Sequence, residues 1–269
     1  MQIFLYLLST MTHTFYKYQG TGNDFIIIDN RQGLFDKKDA KSIATLCDRR
    51  FGIGADGLIL LEDHDTANFT MVYYNADGNE SSMCGNGGRC ITHFANFLGI
   101  IEKEATFMAI DGLHHVIIEG SEVQLQMKNV EEIDVDGDVV ITDTGSPHFV
   151  TMMTNVAGLD VATKGAEIRY SEAYKQEGIN VNFVEDSGNN VFAVRTYERG
   201  VEDETLSCGT GVTAVALAMH QLNRTNKNEV HLKTQGGMLK VRFEPHSEGY
   251  SNIWLVGPAT QVYKGEIEW

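Results

Sequence analysis

Apolar and polar positions along the chain fall into short runs. FIIIDN (25–30), LILLED (58–63), FTMVYYN (69–75), HHVIIEG (114–120) and VQLQM (123–127) are rich in β-branched and aromatic residues and bounded by Gly, Asp or Asn, which predicts strands. The same texture returns in VVITDT (139–144), HFVTMM (148–153), INVNFVED (179–186), VFAVRTYE (191–198), VHLKTQ (230–235), LKVRFE (239–244) and NIWLVGP (252–258). Two stretches break it: GGRCITHFANFLG (87–99) and GVTAVALAMHQLN (211–223) have helix length and begin just past a glycine turn. The second is apolar almost all round, through Val212, Val215, Ala216, Leu217, Ala218 and Met219, so it is expected to be enclosed by other structure. The pattern predicts an α+β protein in which a mostly antiparallel sheet wraps a central helix, twice over.

The two helical stretches are copies. Sliding the chain over itself by 124 residues pairs Cys84 with Cys208, Gly85 with Gly209, Gly87 with Gly211, Glu80 with Glu204 and Tyr73 with Tyr197. Further upstream, Phe25 meets Phe149 and Gly54 meets Gly178 at the same offset. A duplicated module of that size predicts two similar domains related by a pseudo-twofold axis, with equivalent positions facing each other across the seam.

With 269 residues, 42% of them hydrophobic, the chain can bury a substantial core. Its formal net charge of −16, without any run of Lys and Arg, argues against nucleic-acid and membrane-surface partners and for a small molecule. Met1–Leu8 is apolar but lacks the basic flank and cleavage site of an export signal, and Met11 follows closely, so residues 1–13 read as an N-terminal extension. The cytoplasm is the expected compartment, in which Cys47, Cys84, Cys90 and Cys208 would be thiols. GIGADG (52–57) fits a dinucleotide-binding glycine pattern but runs into a strand, and no His or Cys spacing suggests a metal.

A thiol at a helix start sits beside unpaired N–H groups and the positive end of the helix dipole, which is expected to stabilise its thiolate and lower its pKa. The same N–H groups can bind a carboxylate. Two such sites related by a twofold axis suit inversion of a carbon stereocentre, which needs a base on one face and an acid on the other, interchangeable on reversal. A thiolate opposite a thiol meets that demand.

The residues that carry this logic are similar to those of a known family. GTGNDFIIID (20–29), GIGADG (52–57), YNADGNESSMCGNGGRC (74–90), GSPHFV (145–150), NVNFVE (180–185), ERGVEDETLSCGTG (198–211) and WLVGPATQVYKGEI (254–267) resemble diaminopimelate epimerase, in family order from about residue 14 to the end. The resemblance implies cofactor-independent interconversion of LL- and meso-2,6-diaminopimelate, for lysine and peptidoglycan synthesis, by a homodimer. It implies modules at 14–127 and 128–258, the first completed by a strand near 259–269. It places the catalytic pair at Cys84 and Cys208, and the grip on the reacting carboxylate at Gly85, Asn86, Gly209 and Thr210. Asn23, Asn75, Asn180, Glu198 and Arg199 match substrate-binding positions, and His148 and Glu198 match residues that tune the thiols. Two positions depart from the family pattern: Ser146 stands where an Asn is usual and is retained as a substrate-binding candidate, whereas Gly57 replaces a common Gln and offers no side chain. A proline or hydroxyproline epimerase would share the thiols, but it usually has His in place of Asn86 and no use for Glu198 and Arg199. A binding protein on the same fold would typically lack one cysteine.

Overall fold

The computed structural model describes residues 12–268; of the expected extension, residues 1–11 lie outside it and the last two, Thr12 and His13, open the first strand. In the first half, β1 (Thr12–Gly20), β2 (Asn23–Asp29), α1 (Ala40–Cys47), β3 (Gly57–Glu62), β4 (Phe69–Asn75), α2 (Gly85–Phe97), β5 (Glu104–Ala109), β6 (Gly112–Glu119) and β7 (Glu122–Gln126) follow in order. The second half runs β8 (Ile133–Asp136), β9 (Val139–Asp143), β10 (Pro147–Met152), α3 (Val161–Arg169), β11 (Asn180–Asp186), β12 (Val191–Glu198), β13 (Asp203–Thr205), α4 (Gly209–Gln221), β14 (Glu229–Thr234), β15 (Gly237–His246) and β16 (Gly249–Pro258). The chain then returns as β17 (Thr260–Glu268), antiparallel to β1.

The pairing order repeats from half to half. From β1 to β7, neighbours pair antiparallel except for the parallel steps β2–β3 and β4–β5. From β9 to β16 the parallel steps recur at β10–β11 and β12–β14. Each parallel step needs a crossover, and helices supply it: α1 and α2 in the first half, α3 and α4 in the second. β17 stands to β1 as β8 stands to β9, and β7 pairs with β16 to join the halves into one sheet.

Each half of the sheet curls around its own helix. α2 packs on β1 to β4, β6, β7 and β17, and α4 on β9 to β12 and β14 to β16. Cys90, Ile91, Phe94 and Ala95 of α2 are fully buried, as are Val212 and Ala214–Met219 of α4, which accounts for the all-round apolar character of the second helix. Three glycines in the first turn of α2 are poor helix formers; enclosure by strands, not propensity, holds that turn in place. No helix among the described residues is long and apolar enough to cross a membrane.

Several elements depart from the sequence reading. β1, β5, β8, β13, α1 and α3 are additional to the predicted set, and the first strand begins at Thr12, ahead of the expected module start at residue 14. Both extra helices carry a local start signal, since Asp39 accepts from the Ser42 N–H and Asp160 from the Thr163 N–H as N-caps.

Candidate active site

The two enclosed helices meet end to end. Cys84 and Cys208 are the N-cap residues of α2 and α4, both in extended backbone conformation and neither capping its helix through its side chain. The first N–H groups of both helices therefore remain available to a ligand. A methyl group placed on Gly209 would lie 3.4 Å from the Cα of Gly85, and one placed on Gly85 would lie 3.7 Å from the Cα of Gly209. The two helix starts therefore abut across the seam, and the same methyl groups would press on Leu255 Cδ2, at 3.2 Å from Gly85 and 3.0 Å from Gly209.

The polar network around Cys84 fixes the orientation of an amide. Asn23 Nδ2 donates to Asp56 Oδ2 at 2.7 Å, so its Oδ1 faces Asn86 Nδ2 at 3.2 Å and Cys84 Sγ at 3.5 Å. Asn86 reaches across to the other half and donates to the carbonyl of Ser207, next to Cys208, at 2.9 Å. Arg89, fully buried, donates to Asn86 Oδ1 at 3.0 Å and to Thr21 Oγ1 at 3.2 Å. Thr21 in turn donates to Ser207 Oγ at 2.9 Å.

A second network converges on Cys208. Asn182, fully buried, donates from Nδ2 both to the Phe149 carbonyl and to His148 Nδ1, each at 3.1 Å. The carbonyl can only accept, so the amide nitrogen must face it, and His148 Nδ1 is then an acceptor. Burial holds the His148 pKa down at about 3, so the neutral ring carries its proton on Nε2 and donates to Thr210 Oγ1 at 2.9 Å. The Thr210 hydroxyl proton then has Cys208 Sγ and Ser146 Oγ within reach, each at 3.4 Å. His148 thus orients a hydroxyl toward the thiol without carrying charge itself. Asn182→Leu keeps the volume but releases this tautomer and strands the Phe149 carbonyl and the Thr196 hydroxyl that donates to Asn182 Oδ1. The variant is expected to lower Tm by several degrees and kcat by about tenfold; an unchanged kcat would remove the network from the site's function.

A helix start favours thiols of lowered pKa, yet in the structure both thiols are raised. Burial pushes both Cys84 and Cys208 up, and the Glu198 carboxylate adds to the rise. Backbone N–H groups do oppose it, from Gly87 and Asn86 at Cys84 and from Gly211 at Cys208, but desolvation outweighs them.

Glu198 is half-buried, accepts from Thr205 Oγ1 at 2.8 Å and is itself raised by burial. Its charge contributes to the raised pKa of both thiols. Asn180 is buried and bridges Ser146 Oγ at 3.0 Å to the backbone N–H of Arg199 at 2.9 Å; Ser146 Oγ also lies 3.1 Å from His148 Nε2. The exposed Arg199 donates to the Glu177 carbonyl and forms no ion pair with a described carboxylate, so it is not a salt-bridge partner of Glu198. Asn75 is exposed at the end of β4 opposite Gly57, and its side chain makes no hydrogen bond to a described residue. The structure therefore joins Cys84, Asn23, Gly85 and Asn86 to Gly209, Thr210, Cys208, His148, Ser146 and Asn180, and leaves Asn75 at the rim. Asp56, Asn182 and Arg89 are further members that the sequence reading missed. Asn182 had a signal: a polar residue two positions after Asn180 on a buried strand shares its face.

The comparisons with known proteins agree with this geometry. A family model described as diaminopimelate epimerase matches residues 15–133 and 140–262. A diaminopimelate epimerase of Flavobacterium psychrophilum is 55% identical over 253 residues, covering 94% of this chain and 99% of that protein. Among solved structures, a Bacillus anthracis phenazine biosynthesis protein of the PhzF family superposes with a TM-score of 0.77 at 15% identity, covering 96% of this chain and 99% of the other. A probable proline racemase of Agrobacterium radiobacter gives 0.68 at 13% identity, covering 95% and 92%. The two structural likenesses speak for the fold alone. By the family match across both halves and the identity to the Flavobacterium enzyme, the chain belongs to the diaminopimelate epimerase family.

Proposed function

We propose that this enzyme interconverts LL- and meso-2,6-diaminopimelate by a two-base mechanism, with Cys84 and Cys208 on opposite faces of the reacting carbon. The abutment of the two cysteine-capped helix starts at Gly85 and Gly209 carries the reading. A substrate carboxylate bound at the junction would take N–H donors from Gly85 and Asn86 on one side and Gly209 and Thr210 on the other, and both helix dipoles would favour it. The carboxylate would direct the α-carbon toward the two sulfurs.

One cysteine enters the reaction as thiolate and the other as thiol. The thiolate takes the α-proton, the electron pair delocalises into the carboxylate, and the opposite thiol returns a proton to the other face. Sulfur protonation states are exchanged at the end, so the enzyme that has turned over one epimer is set for the reverse reaction. Asn23, Asn180, Ser146 and Glu198 would supply polar groups around the substrate, and the exposed Arg199 suits the distal carboxylate, since its planar fork can meet both oxygens. Asn75, exposed at the end of β4, would add a polar group from the first half.

Incorporation of one solvent deuterium at an α-carbon of LL-diaminopimelate, with accumulation of the meso isomer and no exchange into proline, tests reaction and substrate together. Exchange into proline without turnover of diaminopimelate would move the enzyme to the proline racemase reading. Arg199→Lys replaces the fork by a point charge and is expected to raise KM about tenfold with little change in kcat; an unchanged KM would exclude Arg199 from the distal grip. The same reading includes a cytoplasmic homodimer. Four unpaired thiols suit a reducing compartment, and β17, which is in register with β1 and exposes Val262 and Tyr263, offers a surface for a second copy.

A further inference from the structure

Gly57 supplies nothing to the site by itself, yet its surroundings explain why it must be glycine. A methyl group there would lie 2.4 Å from the Tyr74 carbonyl oxygen, 2.6 Å from Tyr73 Cε2 and 3.2 Å from the Tyr73 hydroxyl oxygen. The backbone at Gly57 is bare so that the Tyr73 ring can lie across it.

That ring stands on the inner face of β4, where Phe69, Met71, Tyr73 and Asn75 alternate with residues of the outer face. It meets Phe25 edge to face, with centroids 5.9 Å apart at 78°. Phe25, Ile59 and Met71 form the wall against Gly87 in the first turn of α2, and Tyr73 pairs in register with Ile59. The ring is thus the next step of that wall, between the α2 start and Asn75 at the rim. Its hydroxyl makes no hydrogen bond to any described residue, which leaves a half-buried phenol beside the catalytic helix with no partner among the described residues. Burial pushes its pKa far up, and the nearby Asp56 and Glu198 carboxylates add to the shift, so the hydroxyl keeps its proton in a region of negative charge. Ground surrounded by acidic groups suits a cation, and a protonated phenol there has oxygen lone pairs to offer one.

We propose that Tyr73 is a substrate-binding residue whose hydroxyl oxygen accepts a hydrogen bond from a substrate ammonium group beside Cys84, with Gly57 as the glycine that makes room for it. This rests on the epimerase reading of the same site and adds a contact on the first-half wall. Tyr73→Phe is the test, since it keeps the ring, its edge on Phe25 and the cover over Gly57, and removes only the hydroxyl. With LL-diaminopimelate as substrate, kcat/KM is expected to fall about tenfold, chiefly through KM, while Tm stays at the wild-type value. Wild-type kinetics in the variant would overturn the proposal, and so would a loss of activity that comes with a matching fall in Tm, which marks a packing role. Wild-type enzyme that fails to epimerise diaminopimelate at all would overturn the substrate reading, and the Tyr73 contact with it, and is read before the variant is made.

Discussion

Alanine at either Cys84 or Cys208 is expected to reduce epimerisation by about 10³-fold or more, the scale of a lost acid or base at the reacting carbon. The more telling result is isotopic. A protein left with Cys208 alone can still take a proton from the face that sulfur reaches and return one to the same face. Cys84→Ala should therefore exchange the α-hydrogen of one epimer with solvent, slowly and without inversion, and Cys208→Ala should exchange the other. Such mirror-image exchange follows from the placement of each thiol at the start of a separate helix in a separate half. Full turnover by either variant would refute the two-base scheme. Neither substitution should endanger the fold: both cysteines cap through backbone carbonyls, to Gly88 N–H at 2.7 Å and Val212 N–H at 3.0 Å, and alanine keeps those bonds. A Tm near the wild-type value checks that point.

What could be read from the sequence was what is local or repeated. The strands on the inner sheets announced themselves because buried runs such as Ile26–Ile28 and Leu58–Leu61 must be apolar, and the two central helices did so because each starts at a glycine turn. The offset of 124 residues carried the rest of the architecture, since a duplicated unit of this size implies a twofold seam and equivalent cysteines on either side of it. β1 was harder, because Lys17 and His13, both buried, interrupt the apolar pattern; Lys17 is spent on an ion pair with Asp24 at 2.7 Å that no local rule reveals. The orientation of the Asn23 amide depends on Asp56, and that of His148 on Asn182, partners 33 and 34 residues away. The thiol pKa was misjudged for the same reason. A helix start is a local feature and lowers it, whereas burial is a property of the whole fold and here outweighs the helix. In the free enzyme the thiols are therefore held neutral, which leaves the arrival of a charged substrate to shift the balance toward a thiolate.

Glu198 is where that shift can be measured. Its negative charge raises both thiols, and in the proposed complex it would face a substrate ammonium group. Glu198→Gln removes the charge and keeps the shape, including an oxygen to accept from Thr205. Two effects follow with opposite sense. The thiol pKa values fall, so the limb of kcat/KM that rises with thiol ionisation moves to lower pH. The plateau above that limb drops by about 10²- to 10³-fold, because a substrate ammonium loses its buried counter-charge. In the native enzyme the ammonium of bound substrate would neutralise Glu198, relieve the pressure on both sulfurs and permit one to ionise, so that substrate binding itself would bring the base into being. Glu198→Asp provides the control: with the charge retained, the pH limb should stay near its wild-type position even if binding weakens. A Glu198→Gln profile whose limb does not move would separate this carboxylate from the thiols. A plateau that does not fall would separate it from the substrate.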